Sequence, residues 1–222
     1  MDAAEPRPTT LETAWPLFGL RLRTERLELR LPTDEDLIVL IDVARAGIHG
    51  PDEMPFASTW STLPSPAFER GYLTYHWANR SGWTPESWEL GLAASFEGRL
   101  IGMQGMHARS FASSRTVHTG SWIGRGLQGR GLGKEMRLAA LALAFDGLGA
   151  HLAETEAFLD NAASNAVSRS LGYEDNGFGS LSPSGVPRET RRFRMTAAGW
   201  RSRPRPPVTL EGLDACREMF GA

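Results

Sequence analysis

Hydrophobic positions change period several times along the chain, and each change marks an element. Between residues 25 and 31, Leu27, Leu29 and Leu31 alternate with Arg26, Glu28 and Arg30, a period of two that predicts a half-buried strand. Thr33 with Asp36 three residues on is a capping pair, and Asp34, Glu35 and Asp36 suit the positive end of a helix dipole. Leu37, Ile38, Ile41 and Ala44 then recur at helical spacing until Gly47 ends the helix. The pattern lapses over residues 48–87, where aromatics fall among prolines, glycines and serines, and loops with one or two short helices are expected there, first of all over residues 66–79. Alternation returns in Trp88–Phe96, with Trp88, Leu90, Leu92, Ala94 and Phe96 on one face. Glu97-Gly98-Arg99 turns it back into Leu100–His107, and after a polar loop Thr116–Ile123 completes an antiparallel meander.

The period then switches. Gly124–Gly133 is a glycine-rich loop, and Lys134–Leu148 an apolar helix closed by Gly147 and Gly149. A strand over His151–Phe158, a short helix over Ser164–Leu171, an extended segment Gly172–Asn176 and a last strand Glu189–Thr196 follow. Strands on both sides of a central βαβ unit predict an α/β fold with a mixed, mostly antiparallel sheet of six or seven strands and about four helices. The 222 residues suit one domain, expected over 14–196 after a flexible tail over 1–13. The Pro-rich stretch from Arg201 leads to an apolar segment, Leu210–Phe220, so residues 197–222 are expected to pack on the domain or on a partner subunit in a homo-oligomer.

Composition narrows the function. A net charge of −2 gives no global reason to expect nucleic acid or membrane as a partner. The longest apolar run, Leu138–Phe145, is far short of the ~18 residues that span a bilayer. The first residues carry Asp2 and Glu5 with no apolar stretch, so a cytoplasmic protein is expected rather than a secreted one. One cysteine, Cys216, excludes an intramolecular disulfide framework. His49, His76 and Asp52 lack close ligand spacing, and no metal is expected.

Chemistry concentrates in Gly124–Lys134, which holds five glycines, Arg125, Arg130 and the only lysine. Bare amides at a helix N-terminus form an anion site, and glycines let the backbone approach a phosphate closely. A nucleotide-triphosphate loop fails here because Gln128 and Glu135 stand where glycine and Ser/Thr are required. The spacing Gly124-x-Gly126-x-x-Gly129 fits the dinucleotide fingerprint, but the strands before it read as antiparallel rather than as the start of a parallel sheet.

Gln128-Gly-Arg-Gly131-Leu-Gly133 resembles the signature of the GNAT N-acyltransferases, and the resemblance extends over roughly residues 20–196. Leu171-Gly172-Tyr173 and Asp160-Asn161-Ala-Ala-Ser164 fall where that family has matching segments. Leu22–Arg30 resembles the RimJ/RimL branch, and Trp15–Phe18, Met54-Pro-Phe56, Trp60 and Ala166–Arg169 are similar to actinobacterial members, some described as succinyl-CoA transferases. The resemblance implies a GNAT fold and transfer of an acetyl or succinyl group from acetyl-CoA or succinyl-CoA to a primary amine of a small molecule, peptide or protein, by direct attack. It implies that Gln128, Gly129, Arg130, Gly131, Leu132, Gly133 and Lys134 hold the pyrophosphate, and that Trp122, Ile123, Asn161 and Ser164 meet the pantetheine arm; Ser164 is equally suited to be only the N-cap of its helix.

His118 stands where relatives of this branch often carry a carboxylate, two residues before the Gly of Gly-x-Trp, and an imidazole can accept a proton at neutral pH. Ser168 stands where many relatives have a tyrosine that protonates the leaving thiolate. A serine there leaves open a second reading, an acyl-CoA-binding or sensing domain without catalysis. Met54, Phe56 and Trp60 either wall the acceptor pocket or form the core beneath their loop. Arg192 and Arg194 share a strand face and could meet a charged acyl group.

Overall fold

The computed structural model describes residues 9–222; most of the segment expected as a tail, residues 1–8, lies outside them. A helical turn, α1 (Leu11–Ala14), capped by Thr10, leads into two short strands, β1 (Arg21–Arg23) and β2 (Leu27–Arg30). Helices α2 (Asp34–Arg45) and α3 (Ala67–Ser81) precede the meander β3 (Ser87–Phe96), β4 (Arg99–Arg109) and β5 (Thr116–Ile123), with a short α4 (Phe111–Ser114) in its second loop. Helix α5 (Leu132–Ala142) runs on through a wider π turn to Gly147. Strand β6 (Leu152–Phe158), α6 (Ala162–Leu171), β7 (Glu174–Leu181), β8 (Arg188–Thr196), α7 (Ala197–Arg201), β9 (Thr209–Glu211) and α8 (Leu213–Cys216) complete the chain.

The strands form one sheet in the order β7-β8-β6-β5-β4-β3-β2-β1-β9, antiparallel throughout except for β5 beside β6. It is wider than the alternation predicts because β1 and β9 extend one edge and Gly172–Asn176 opens a full strand, β7. Alternation along β3 sorts its side chains as expected. Trp88, Leu90, Leu92 and Ala94 join the larger core with α5 and α6, whereas Ala93 faces the second core, built by Leu37, Leu40 and Ile41 of α2 with Phe68 and Tyr72 of α3. The C-terminal segment closes over the first core. Phe220 is fully buried, edge-on to Trp83 and Trp88, whose indole N–H groups donate to the carbonyls of Met219 and Phe220 at 2.8 and 3.1 Å.

The start of α2 carries a pH-dependent clamp. Thr33 and Asp36 form the capping box their spacing predicts, and Arg30 of β2 donates to both Asp36 oxygens, at 2.5 and 2.8 Å. Burial pushes the Asp36 carboxyl up, but the hydrogen bonds from Arg30 and the Thr33 amide outweigh it and hold it below the usual carboxylate range. A depressed folded-state pKa gives stability that is complete above the unfolded value of about 3.9 and is lost as pH falls through the folded one. Asp36→Asn is therefore expected to cost about 1–2 kcal/mol at pH 7. Urea titrations from pH 7 downward should show the wild-type advantage shrinking below about pH 4; a difference that stays constant would exclude the clamp.

Candidate active site

The site forms where β5 and β6 part. Their parallel ladder covers only Thr116↔Leu152, Val117↔Ala153 and His118↔Glu154, although β5 runs on to Ile123 and β6 to Phe158. Beyond that point each strand keeps only its outer neighbour, β4 for β5 and β8 for β6. The Thr155 hydroxyl closes the crotch of the split by donating to the Thr119 carbonyl at 2.8 Å. Residues Gly120–Ile123 and Glu156–Phe158 thus present unpaired inner edges to one another, a slot for an extended ligand whose amides can pair as a strand does.

The glycine loop lies at the open end of that slot. Gly129 and Gly131 both sit at φ +77°, a conformation that costs other residues strain, and Gly131 is the N-cap of α5 with no side-chain cap. The first intrahelical bond runs from Glu135 N–H to the Gly131 carbonyl, so the amides of Leu132, Gly133 and Lys134 have no helical partner. Gly129, Arg130, Gly131 and Lys134 are exposed, whereas the Leu132 side chain is buried, so Leu132 can offer a ligand only its amide. The acid of this turn is turned away. Glu135 accepts from the Thr24 hydroxyl at 2.6 Å and from Arg26 Nε at 2.7 Å, which together outweigh burial and hold its carboxyl below the usual range. Gln128 braces the loop from outside, donating to the carbonyls of Ile48 and Ile123 at 2.7 and 3.0 Å. Free amides, a helix dipole and three cations, Arg125, Arg130 and Lys134, that no carboxylate pairs among the described residues fit a pyrophosphate.

Asn161 is the N-cap of α6, accepting from the Ser164 amide at 3.1 Å; the helix starts two residues earlier than expected and Ser164 is not its cap. Ser168 is fully buried and donates its hydroxyl to the Ser164 carbonyl at 3.1 Å. Trp122 is half-buried and meets Trp60 at 6.0 Å and Tyr72 at 6.4 Å between ring centres. Phe56 and Trp60 pack on each other at 5.0 Å and border the second core, so they serve both as core edge and as wall. Their loop bridges the slot: Gln128 holds the Ile48 carbonyl on one side, and on the other Arg188 of β8 donates to the Met54 carbonyl at 2.8 Å while stacking on Phe158.

His118 occupies the last position of β5 that pairs with β6. Its Nε2 lies 3.7 Å from Glu154 Oε2, and its ring stacks on His107, its cross-strand partner, at 5.0 Å and 11°. The register aligns Glu89, His107, His118 and Glu154 across four neighbouring strands. A cavity of about 460 Å³ opens over this row, bordered also by Asn79, Arg109 and Thr116. Gly91, Gly105 and Gly120 form the adjacent row, and a Cβ on Gly120 would meet nothing within 4 Å, so bare backbone leads from the histidines to the split.

The sequence did not single out Glu89, His107, Glu154, Gln104 or Arg137. Register, a long-range property, brings the first three together. Arg137 had a local signal: it shares the helical face of Ala140, Leu141 and Ala144, all buried. By contrast Arg192 and Arg194 are already matched by Glu156 at 3.6 Å and Glu174 at 3.9 Å. Cys216 is buried and its thiol pushed up to about 11 by desolvation, which removes it as a nucleophile at neutral pH. Among the described residues no group of three or more His, Cys, Asp or Glu side chains could hold a metal ion, and no helix is long and apolar enough to cross a membrane.

Comparison with known proteins agrees with this geometry. An acetyltransferase (GNAT) domain model matches residues 26–174. Among solved structures, a GNAT-family acetyltransferase from Bacillus anthracis superposes with a TM-score of 0.65 at 14% identity, covering 80% of this chain and 99% of its own. Mycobacterium smegmatis RimJ, solved with a CoA disulfide, gives 0.64 at 16% identity, with 89% and 91% covered. RimL, a ribosomal L7/L12 alpha-N-protein acetyltransferase solved with coenzyme A, gives 0.60 at 13%, with 78% and 95% covered. With the family model spanning the split strands, the glycine loop and α5 alike, the chain belongs to the GNAT acetyltransferase family.

Proposed function

We propose that the protein transfers an acetyl or succinyl group from acyl-CoA to a primary amine, of a small molecule or a peptide, in a ternary complex without a covalent enzyme intermediate. The observation that carries this reading is the uncapped N-terminus of α5, with its free amides set at the mouth of the slot between β5 and β6. Gly129 to Lys134 hold the pyrophosphate, and the inner edges around Trp122 and Ile123 hold the pantetheine arm. Asn161 adds its side-chain N–H group, which capping leaves free, since the cap uses Oδ1.

The amine nitrogen attacks the thioester carbonyl, the C–N bond forms, and collapse of the tetrahedral intermediate breaks the C–S bond. His118 takes the amine proton, and Glu154 steadies the imidazolium that results. The departing thiolate takes its proton from water, because the Ser168 proton is already engaged within α6. Catalysis then rests on positioning and on backbone stabilisation of the oxyanion. Met54, Phe56 and Trp60 wall the acceptor side. That same engagement of Ser168 also supports a second reading, acyl-CoA binding without turnover.

Thermal-shift series with acetyl- and succinyl-CoA, followed by assays of CoA-thiol release with peptides, polyamines and aminoglycosides, separate the two readings. Steady thiol release with any amine sinks the binding-only reading, and the lack of any thermal shift sinks both. Asn161→Ala and Asn161→Ser are both expected to weaken CoA binding about five- to tenfold, as one hydrogen bond is lost. Only the alanine variant should also lose about 1 kcal/mol of stability, since serine still caps. Calorimetric Kd values and melting curves check both, and an unchanged Kd would remove Asn161 from the site.

A further inference from the structure

The face of the sheet beneath the split holds a buried cation with no anion. Arg137, on α5, is only 3% exposed and has no carboxylate partner among the described residues. Its guanidinium reaches neutral oxygens on the two parting strands, Thr155 Oγ1 of β6 at 3.2 Å and Ser121 Oγ of β5 at 3.4 Å, and its Nε has no partner. Ser121 lies directly opposite Gln104 of β4, which is also fully buried. The Gln104 amide nitrogen donates to the carbonyls of Gly105 and Gly120, and its Oε1 is left without a donor. Thr119 and Tyr173, whose hydroxyls lie 3.3 Å apart, adjoin this cluster, and the Tyr173 hydroxyl is a further neutral partner of the guanidinium.

Burial of an unpaired charge costs several kcal/mol, and well-packed apolar groups of similar volume often replace such groups without loss. Leucine or methionine would serve the fold here at least as well, since the same face of α5 is otherwise apolar. A cation kept at this cost, spanning both strands of the substrate slot and holding unused N–H donors, is matched to an anion that arrives with the substrate. The pyrophosphate has its proposed site at the loop, away from this cluster. What reaches the split itself is the acyl end of the donor.

We propose that Arg137 binds the free carboxylate of the acyl chain, so that the preferred donor is the CoA thioester of a short dicarboxylic acid, such as succinyl- or malonyl-CoA, rather than acetyl-CoA. This rests on the acyltransferase reading above and narrows its donor. Arg192 and Arg194, paired with Glu156 and Glu174, are not needed for the task. Arg137 acts in donor selection and takes no part in proton transfer.

The test compares kcat/KM for succinyl-, malonyl- and acetyl-CoA in the wild type, Arg137→Met and Arg137→Lys, with melting temperatures for all three proteins. The wild type is expected to favour the charged donors about 10- to 100-fold. Arg137→Met should bring the succinyl-to-acetyl ratio close to one with an unchanged or higher melting temperature, and Arg137→Lys should recover part of the ratio as a point charge. A wild type that is stabilised by coenzyme A yet uses acetyl-CoA as well as succinyl-CoA overturns this inference alone. A preference that survives in Arg137→Met, with a lowered melting temperature, makes Arg137 structural and overturns it too. The absence of any stabilisation by coenzyme A overturns the acyltransferase reading, and this inference with it.

Discussion

Gly102→Ala is expected to cost about 3 kcal/mol, at the upper end of overpacking penalties, which for a chain of this size lowers the melting temperature by about 6–12 °C. A Cβ on Gly102 would lie 2.2 Å from the Trp122 carbonyl oxygen and 2.8 Å from the Ile123 Cα. Both obstacles are backbone, so no rotamer change relieves them. Strands β4 and β5 must separate where β5 is held only from that side, because β6 has already parted from it. The displaced segment carries Trp122 and Ile123 and leads directly into the glycine loop, whose Gly124 amide donates to the Ile101 carbonyl at 2.8 Å. Loss of CoA binding should therefore accompany the loss of stability. Gly126→Ala is the control: it lies in the loop, carries no positive φ, and its added Cβ meets nothing within 4 Å. It is expected to stay within about 0.5 kcal/mol of wild type. Melting curves and CoA titrations of both variants decide the matter, and a Gly102→Ala protein melting within 2 °C of wild type, on the order of 0.5–1 kcal/mol, would mean that the β4–β5 pairing is not under this constraint.

What could be read from the chain alone follows from where burial leaves a periodic trace. Leu27 and Leu29, the Trp88–Ala94 face and the Leu37–Ala44 stripe each bury one side of an element, so their period shows it. Strands β1 and β9 are three residues long, too short to show a period, and β9 follows a Pro-rich stretch. Strand β7 is largely exposed and contains Gly177 and Gly179; pairing with β8 rather than burial holds it, so beyond Asn176 it left no hydrophobic signal. The glycine loop was legible because its chemistry is local: amides, positive-φ glycines and a helix start lie within eleven residues. The row from Glu89 to Glu154 joins residues far apart in sequence and exists only through register. Arg137 was legible in principle, as a charge on an apolar helix face. Lys134 and Glu135 just before it are charged as well, so a third charge at the helix start stands out little.

His118→Ala is expected to lower kcat about 100-fold or more, the usual share of a positioned general base, while acyl-CoA affinity stays within about twofold, well under 1 kcal/mol. The separation follows from position. His118 faces the α3 side of the sheet, over the 460 Å³ cavity, whereas the glycine loop and Asn161, the proposed donor site, lie at the other end of the slot. Its side chain is 45% exposed, so truncation should not unfold the protein, and surface changes of this kind usually cost less than about 0.5 kcal/mol. Of the stacked pair, burial and the neighbouring His118 push the His107 imidazole below its ordinary range, which disfavours its charged form. In the proposed mechanism Glu154, 3.7 Å from His118, stabilises the charged imidazolium without touching the amine, so Glu154→Gln should cost only about tenfold in kcat. Because Glu154 acts through His118, the double variant should be no slower than His118→Ala alone. Steady-state kinetics of the three variants with saturating amine test the arrangement. An unchanged kcat in His118→Ala removes it from the mechanism, and additive losses in the double variant would give Glu154 a contact with the substrate of its own.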